Sequence, residues 1–205
     1  MSHDGWYSRI FAAVYDPLLA RAERETLAPL REELLAGLTG VILDLGAGTG
    51  SNLAHLSAGE ADRVIFLDSS FSMLSRGISK GMRQAGTPVI GTATALPFPD
   101  GIFDAVVATL VLCSVADLSV SLREIRRILK SGGTLRAMEH VLSEHPKMAA
   151  LQRTGTPLWR LLAGGCHLDR PTDKRLGELF IPVSARSLTI GGLPLHLGTY
   201  RTPPY

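Results

Sequence analysis

Val41-Ile-Leu-Asp-Leu-Gly-Ala-Gly-Thr-Gly50 decides the fold of this chain. It begins as a short apolar run broken only by Asp44 and ends in glycines, as a buried parallel strand does. Gly46, Gly48 and Gly50 let the backbone turn tightly from strand into helix and approach a nucleotide-like ligand that side chains would exclude. Asp68 follows Gly48 by 20 residues and closes the next expected strand, 63–68. An acidic group there can accept hydrogen bonds from both hydroxyls of a ribose. The bland alternatives are a plain glycine-rich turn and a carboxylate that caps the following helix, a task Ser69 or Ser70 could equally perform.

Outward from this turn the strand-helix unit repeats. A helix is expected over 71–84, a short strand over 88–92, a strand over 103–109, a helix over 117–130 and a strand over 134–140, with Ser131-Gly132-Gly133 stopping the last helix. Such alternation predicts a parallel sheet with helices on both faces. Before it, Trp6, Ile10, Val14, Leu27, Leu30, Leu34, Leu35 and Leu38 recur at helical spacing and are punctuated by Pro17 and Pro29, which predicts two helices or a kinked pair. After it, 142–165 reads as mixed helix and loop broken at Pro146 and Pro157, and 173–180 as a short helix. Strands over 183–190 and 195–201 flank Gly191-Gly192 and close one edge of the sheet. The expected organisation is one domain, 1–205: a helical cap (1–39), a ligand-binding core (40–141), a lid and helix (142–181) and two C-terminal strands (182–205).

A chain of 205 residues can bury a substantial core without disulfides. The formal net charge is only +2 and the basic residues are scattered, with no run interleaved with aromatics, which argues against a nucleic-acid partner. At 20% the charged residues fall below the usual share, which leaves room for an apolar mouth or interface. Cys113 and Cys166 form no CxxC pair and fit a reducing compartment, so a cytoplasmic location is expected. Asp4 and Arg9 break the apolar character of the N-terminus, and no stretch is long enough to span a bilayer. Peripheral membrane contact stays open, as does the choice between monomer and homodimer.

The glycine-and-acid geometry is shared with NAD-dependent oxidoreductases, but no hydride-transfer constellation accompanies it here. The segment order instead resembles the class I S-adenosylmethionine-dependent methyltransferases of the type 11 group, at Leu43 to Gly50, Leu96-Pro-Phe-Pro99, Phe103-Asp104 and Leu129-Lys-Ser-Gly-Gly133. Further segments are similar to the alkyl-thiol S-methyltransferases and their bacterial relatives: Thr109-Leu-Val-Leu-Cys-Ser-Val115, Met138-Glu-His-Val141, Gly165-Cys-His-Leu-Asp-Arg170 and Leu193-Pro-Leu-His-Leu-Gly-Thr-Tyr-Arg201. The resemblance covers nearly the whole chain, apart from the membrane-anchoring N-terminal segment of the animal enzymes. It implies a Rossmann-like α/β fold with a mostly parallel seven-stranded sheet and an antiparallel C-terminal edge. It also implies S-adenosylmethionine as cofactor, S-adenosylhomocysteine as product and a small, apolar acceptor. Thiol S-methylation leads. O- or N-methylation of a small molecule or lipid head group, and a non-catalytic cofactor-binding module, are the alternatives.

By position the resemblance gives Asp44, Gly46, Ala47 and Gly48 the methionine part of the cofactor, and Asp68 its ribose. Ser69, Met73, Thr92 and Ala93 lie by the adenine, and Thr109 by the methionine or the acceptor. Met73 is equally suited to ordinary core packing. One departure is the uncharged Gly91-Thr-Ala-Thr94, where many members carry an Asp that accepts from the adenine amino group. His140, at the carboxyl end of the fifth strand, leads as the base that deprotonates an acceptor, with Glu139 directed to the opposite face; a hydrogen-bonded structural histidine is its alternative. His167 is the second candidate. Cys166-His167 lacks metal-ligand spacing, so no metal is expected, and Cys113 reads as core. Tyr7, Phe11 and Tyr15, with Trp6, suit an aromatic lid and acceptor wall or, singly, plain helix packing. Trp159 and Leu158 are expected at the acceptor pocket.

Overall fold

The computed structural model describes residues 5–57 and 60–204. The start of the expected cap, residues 1–4 with Asp4, lies outside them, as do 58, 59 and 205.

The chain opens with one helical run. Helix α1 (Trp6–Ala22) passes through a π-helical turn (Glu23–Leu27) into α2 (Ala28–Leu35), so the expected kinked pair is a continuous helix with one widened turn. Pro29, which lacks an N–H, follows directly on that widened turn, where the regular i→i−4 ladder is already interrupted. The core then alternates: β1 (Thr39–Leu45), α3 (Leu53–Ser57), β2 (Glu60–Asp68), α4 (Phe71–Ser79), α5 (Met82–Ala85), β3 (Thr87–Ile90), β4 (Phe103–Thr109), α6 (Leu118–Ile128) and β5 (Leu129–His140). After it come α7 (Pro146–Leu162), α8 (Thr172–Leu179), β6 (Ile181–Ile190) and β7 (Leu193–Arg201).

The seven strands lie in the order β3-β2-β1-β4-β5-β7-β6. All neighbours pair in parallel except β7, which runs antiparallel to both β5 and β6. Strand residues alternate between two cores. Leu43, Leu45, Val106 and Ala108 face Leu122, Ile125 and Ile128 of α6 and Leu176 of α8. Ile42, Phe66, Ala105 and Val107 face Leu34 and Leu35 of α2, Leu56, Leu74 and Met82. Both faces are therefore covered, as a parallel sheet requires.

Three local expectations are corrected. The helix expected over 71–84 is two, because Gly81 takes a left-handed φ of 102° between α4 and α5. Ser131-Gly132-Gly133 does not separate α6 from the strand; α6 ends at Ile128, and these residues form an irregularity inside β5 where the pairing jumps from Phe103↔Leu129 to Ala105↔Thr134. The lid stretch is a single 17-residue helix, α7, with Pro146 in its first turn and Pro157 inside it. Asp117 caps α6 by accepting from the Val120 N–H at 2.9 Å.

Pro157 can donate no N–H to the turn before it and its ring crowds a carbonyl there, a combination worth roughly 3 kcal/mol against alanine in a helix interior. Pro157→Ala is therefore expected to raise stability by on the order of 1–3 kcal/mol, read as a higher thermal midpoint. An unchanged or lower midpoint would mean that α7 depends on the bend.

Candidate active site

β1 lies where the strand order reverses, between β2 and β4. Leu45 pairs with both Leu67 and Ala108, so the residues that follow, Gly46, Asp68 and Thr109, emerge together at the carboxyl end of the sheet. Open α/β sheets bind ligands at this switch point. A cavity of about 580 Å³ opens here, within the range of small-molecule sites.

Its floor is the glycine turn. The Gly46 and Ala47 N–H groups donate to the Leu67 carbonyl at 2.8 and 3.0 Å, and the Gly48 N–H donates to Asp68 Oδ2 at 2.8 Å. Gly48 has a φ of 54°, and a Cβ there would stand 3.4 Å from Met73 Cε and 4.0 Å from Asp68 Oδ2. The bare backbone thus leaves a cradle between those two side chains. Asp68 Oδ1 accepts from the Ser70 N–H, while the Ser70 hydroxyl caps α4 through the Met73 N–H. Asp68 therefore orders the turn and faces the cavity rather than capping the helix itself.

The back wall is a buried polar network unforeseen in the sequence. Arg31, only 2% exposed, donates from Nη1 to Asn52 Oδ1 at 2.7 Å and to Thr109 Oγ1 at 2.6 Å, and from Nε to Glu23 at 2.7 Å. Asn52 in turn donates to Asp44 Oδ1 at 2.7 Å and to Thr109 Oγ1 at 2.9 Å. Arg31, Asn52 and Thr109 all face the cavity.

The outer wall is α1. Tyr7, Phe11 and Tyr15, four residues apart, stack along one face with ring centroids 5.9 and 5.4 Å apart, and all three line the cavity. The Tyr7 hydroxyl donates to the Leu161 carbonyl at 2.7 Å and fastens α1 to the end of α7. Burial pushes the Tyr15 hydroxyl up to about 12, against the opposing pull of Arg31.

Of the residues singled out in the sequence, the fold brings Gly46, Ala47, Gly48, Asp68, Ser69, Met73, Thr92, Ala93 and Thr109 to this one cavity, together with the three α1 aromatics. Six others stand elsewhere, among them Trp6 and Leu158, which are exposed to solvent and do not line the cavity. Asp44 is fully buried behind the turn and acts on the cavity only through Asn52. His140 faces Cys166, with Nδ1 3.5 Å from Sγ. His167 turns toward Asp169, 3.7 Å from Nδ1 to Oδ1. Trp159 packs against Cys113, Cys166 and Leu168. Among the described residues, Asp68 is the only carboxylate and there is no histidine on the cavity lining. Glu139, opposite His140 on its strand, is wholly buried and accepts from the N–H groups of Val111, Leu112 and Cys113.

A family profile described as a methyltransferase domain matches residues 43–137. The human thiol S-methyltransferase TMT1A is 33% identical over 174 residues, covering 81% of this chain and 70% of that protein. The ubiquinone/menaquinone biosynthesis C-methyltransferase UbiE of Shewanella frigidimarina is 32% identical over 183 residues, covering 77% of this chain and 72% of its own. A putative methyltransferase solved with the Haloferax volcanii Trm112 activator shares the fold, with a TM-score of 0.76 at 19% identity over 100% of both chains. Together with the switch-point cavity, these matches make the chain a methyltransferase of class I. It belongs, more narrowly, to the S-adenosylmethionine-dependent family that includes both the human thiol S-methyltransferase and the bacterial C-methyltransferase.

The cavity fits that cofactor. Asp68, with the acceptor capacity of a carboxylate, suits a ribose diol. The cradle over Gly48 admits close backbone approach, and the Arg31 guanidinium suits a carboxylate. Asp68→Ala removes the acceptor that holds the Gly48 N–H and, with it, the carboxylate suited to a ribose diol. Titration calorimetry with S-adenosylhomocysteine is expected to show affinity at least about tenfold weaker, equivalent to about 1.4 kcal/mol. Affinity within twofold of the parent would remove Asp68 from the site.

Burial pushes the Asp44 carboxyl from 3.8 up to about 7, against the opposing pull of its Asn52 hydrogen bond and of Arg31. Folding therefore favours the protonated form. Its contribution to stability is complete below the unfolded value near 3.8 and is lost as pH rises through about 7. Asp44→Asn should flatten the fall in thermal midpoint between about pH 4 and 7, a difference on the order of a few kcal/mol across that window. A midpoint-against-pH slope identical to the parent's would contradict this assignment.

Proposed function

We propose that this methyltransferase transfers its methyl group to the sulfur of a small, apolar thiol. What carries the reading is a cavity lining that, among the described residues, offers no base beyond the Asp68 carboxylate committed to the glycine turn. Bound S-adenosylmethionine supplies an electrophilic methyl on a sulfonium sulfur, and its in-line transfer neutralises charge. The chain's residues then have alignment and water exclusion to provide. Tyr7, Phe11 and Tyr15 supply an apolar wall, and Arg31, ion-paired with Glu23, closes the back of the cavity.

An acceptor that starts as an alcohol or a carbon acid needs a proton taken from it in the site. A thiol with a pKa near 8.5 is already partly ionised at neutral pH. The chemistry available from these walls is thus matched to sulfur. Likeness to the human thiol S-methyltransferase supports the same acceptor class, while likeness to UbiE makes a carbon acceptor the reading to exclude.

The test is labelled cofactor offered with alkyl thiols of graded acidity, phenols, amines and a quinol. Labelled thioether is the expected product. Because the acceptor ionises by itself, kcat/KM should rise with pH and level off near each thiol's own pKa, moving with the acceptor. A plateau fixed at one pH for every thiol would reveal a base on the enzyme, and transfer only to phenol, amine or quinol would overturn the sulfur assignment.

A further inference from the structure

Beside the cavity, three side chains from segments remote in sequence converge. Cys113 lies in the loop between β4 and α6, His140 ends β5, and Cys166 lies in the loop after α7. Cys166 Sγ is 3.5 Å from His140 Nδ1, and one potential ligand atom from each of the three lies within 4.8 Å of the others. We infer that Cys113, His140 and Cys166 form a binding site for a thiophilic divalent cation of the Zn²⁺ type, outside the cofactor cavity.

Geometry, ligand chemistry and charge agree. Tetrahedral Zn²⁺ with bonds of about 2.3 Å to sulfur and about 2.0–2.1 Å to nitrogen sets the sulfur–nitrogen edge at about 3.6 Å. The Cys166–His140 separation already matches that edge, so this pair needs almost no movement to bind. Two sulfurs and an imidazole select a borderline or soft ion over Mg²⁺ or Ca²⁺, which take oxygen. Two thiolates and a neutral imidazole around a divalent ion sum to zero charge. That matters because Leu168 is buried with both cysteines, and Ala163, Trp159 and Leu193 pack on the cluster, surroundings in which a net charge would be costly.

A second observation comes from Trp159. Its buried indole N–H lies close enough to Cys166 to favour that residue's thiolate, while the ring packs on the cysteine cluster. Metal-bound thiolates are strong acceptors, and outer-shell donors of this kind commonly support them. His167, the neighbour of Cys166 in sequence, is not a member, since its ring turns to Asp169. The three ligands leave one vertex for water or an added thiolate, as open sites do. Because Ser114 and Gly164, close in sequence to the two cysteines, line the cavity, the cation would pin two segments of its wall to the end of β5.

The experiment uses the full chain purified under reducing conditions without chelator. Elemental analysis is expected to find close to one Zn²⁺ per chain, and Co²⁺ loading of the metal-free chain should give the intense thiolate-to-cobalt absorption of a tetrahedral site. Mg²⁺ should not compete. Cys113→Ser/Cys166→Ser should abolish that absorption, His140→Ala should weaken Co²⁺ binding at least tenfold, and His167→Ala should leave it unchanged. The Co²⁺ titration of the unaltered chain decides the matter even if a variant does not fold. Absence of thiolate-to-cobalt absorption in the reduced, unaltered chain would overturn the proposal, as would Zn²⁺ retained undiminished by the double cysteine variant.

Discussion

A guanidinium buried to 2% exposure has to be paired, and the requirement of Arg31 for partners organises much of this structure. Its fork reaches Glu23 on its own helical run, Asn52 after the glycine turn and Thr109 at the end of β4, so one side chain fixes the N-terminal helices against that turn and β4. The π-helical turn makes this reach feasible. In an unbroken α-helix, residues eight apart lie about 80° out of phase, at about 100° per residue. Absorbing an extra residue over Glu23–Leu27 lets those eight residues span about two turns, and Glu23 arrives beside Arg31. The same run carries Tyr7, Phe11 and Tyr15, so fixing Arg31 also helps to set where the aromatic wall stands.

The cavity that results combines a polar floor with an apolar front. The glycine turn and Asp68 offer backbone and carboxylate at the carboxyl ends of β1 and β2, where the sheet leaves a crevice. The α1 aromatics shield the opposite side from water, and the tie from Tyr7 to Leu161 couples that shield to α7. This division suits a transfer in which positive charge is quenched and no proton need be removed by the protein.

What could be read from the residues alone was whatever short-range geometry dictates. The glycine turn, the carboxylate closing β2 and the alternation of strands and helices are local, and each stands where expected. Arg31 was not legible, because an arginine among Glu32, Glu33 and leucines reads as the solvated edge of an amphipathic helix. Its burial follows from the π-turn and from Asn52, neither of which leaves a pattern at helical or strand spacing. The strand pattern puts His140 at the end of β5, but which way the ring turns depends on Cys166, 26 residues further on. Pro157 reads as a breaker, yet α7 passes through it, because docking of the flanking turns outweighs one lost hydrogen bond. The cysteines illustrate the same limit, since their meeting is decided by two loops and a strand end together.

Glu139 shows how the two halves of the site are made to fit. Directly after β4, Leu110 takes a left-handed φ of 57°, a conformation that costs a non-glycine residue roughly 1–2 kcal/mol. Its own N–H bonds to the Met138 carbonyl at 2.7 Å, and the next three N–H groups converge on the Glu139 carboxyl, which burial pushes up to about 7 against their opposing pull. The strained residue therefore starts a loop whose donors are all collected by one side chain from the neighbouring strand. The curl brings Val111 over the glycine turn, so close that a Cβ on Gly46 would collide with Val111 Cγ2. Gly46 is thus required twice, by its own φ of 70° and by the side chain that Glu139 holds above it. The glycine turn and the loop after β4 cannot be altered independently, and the carboxyl that couples them never touches the cavity.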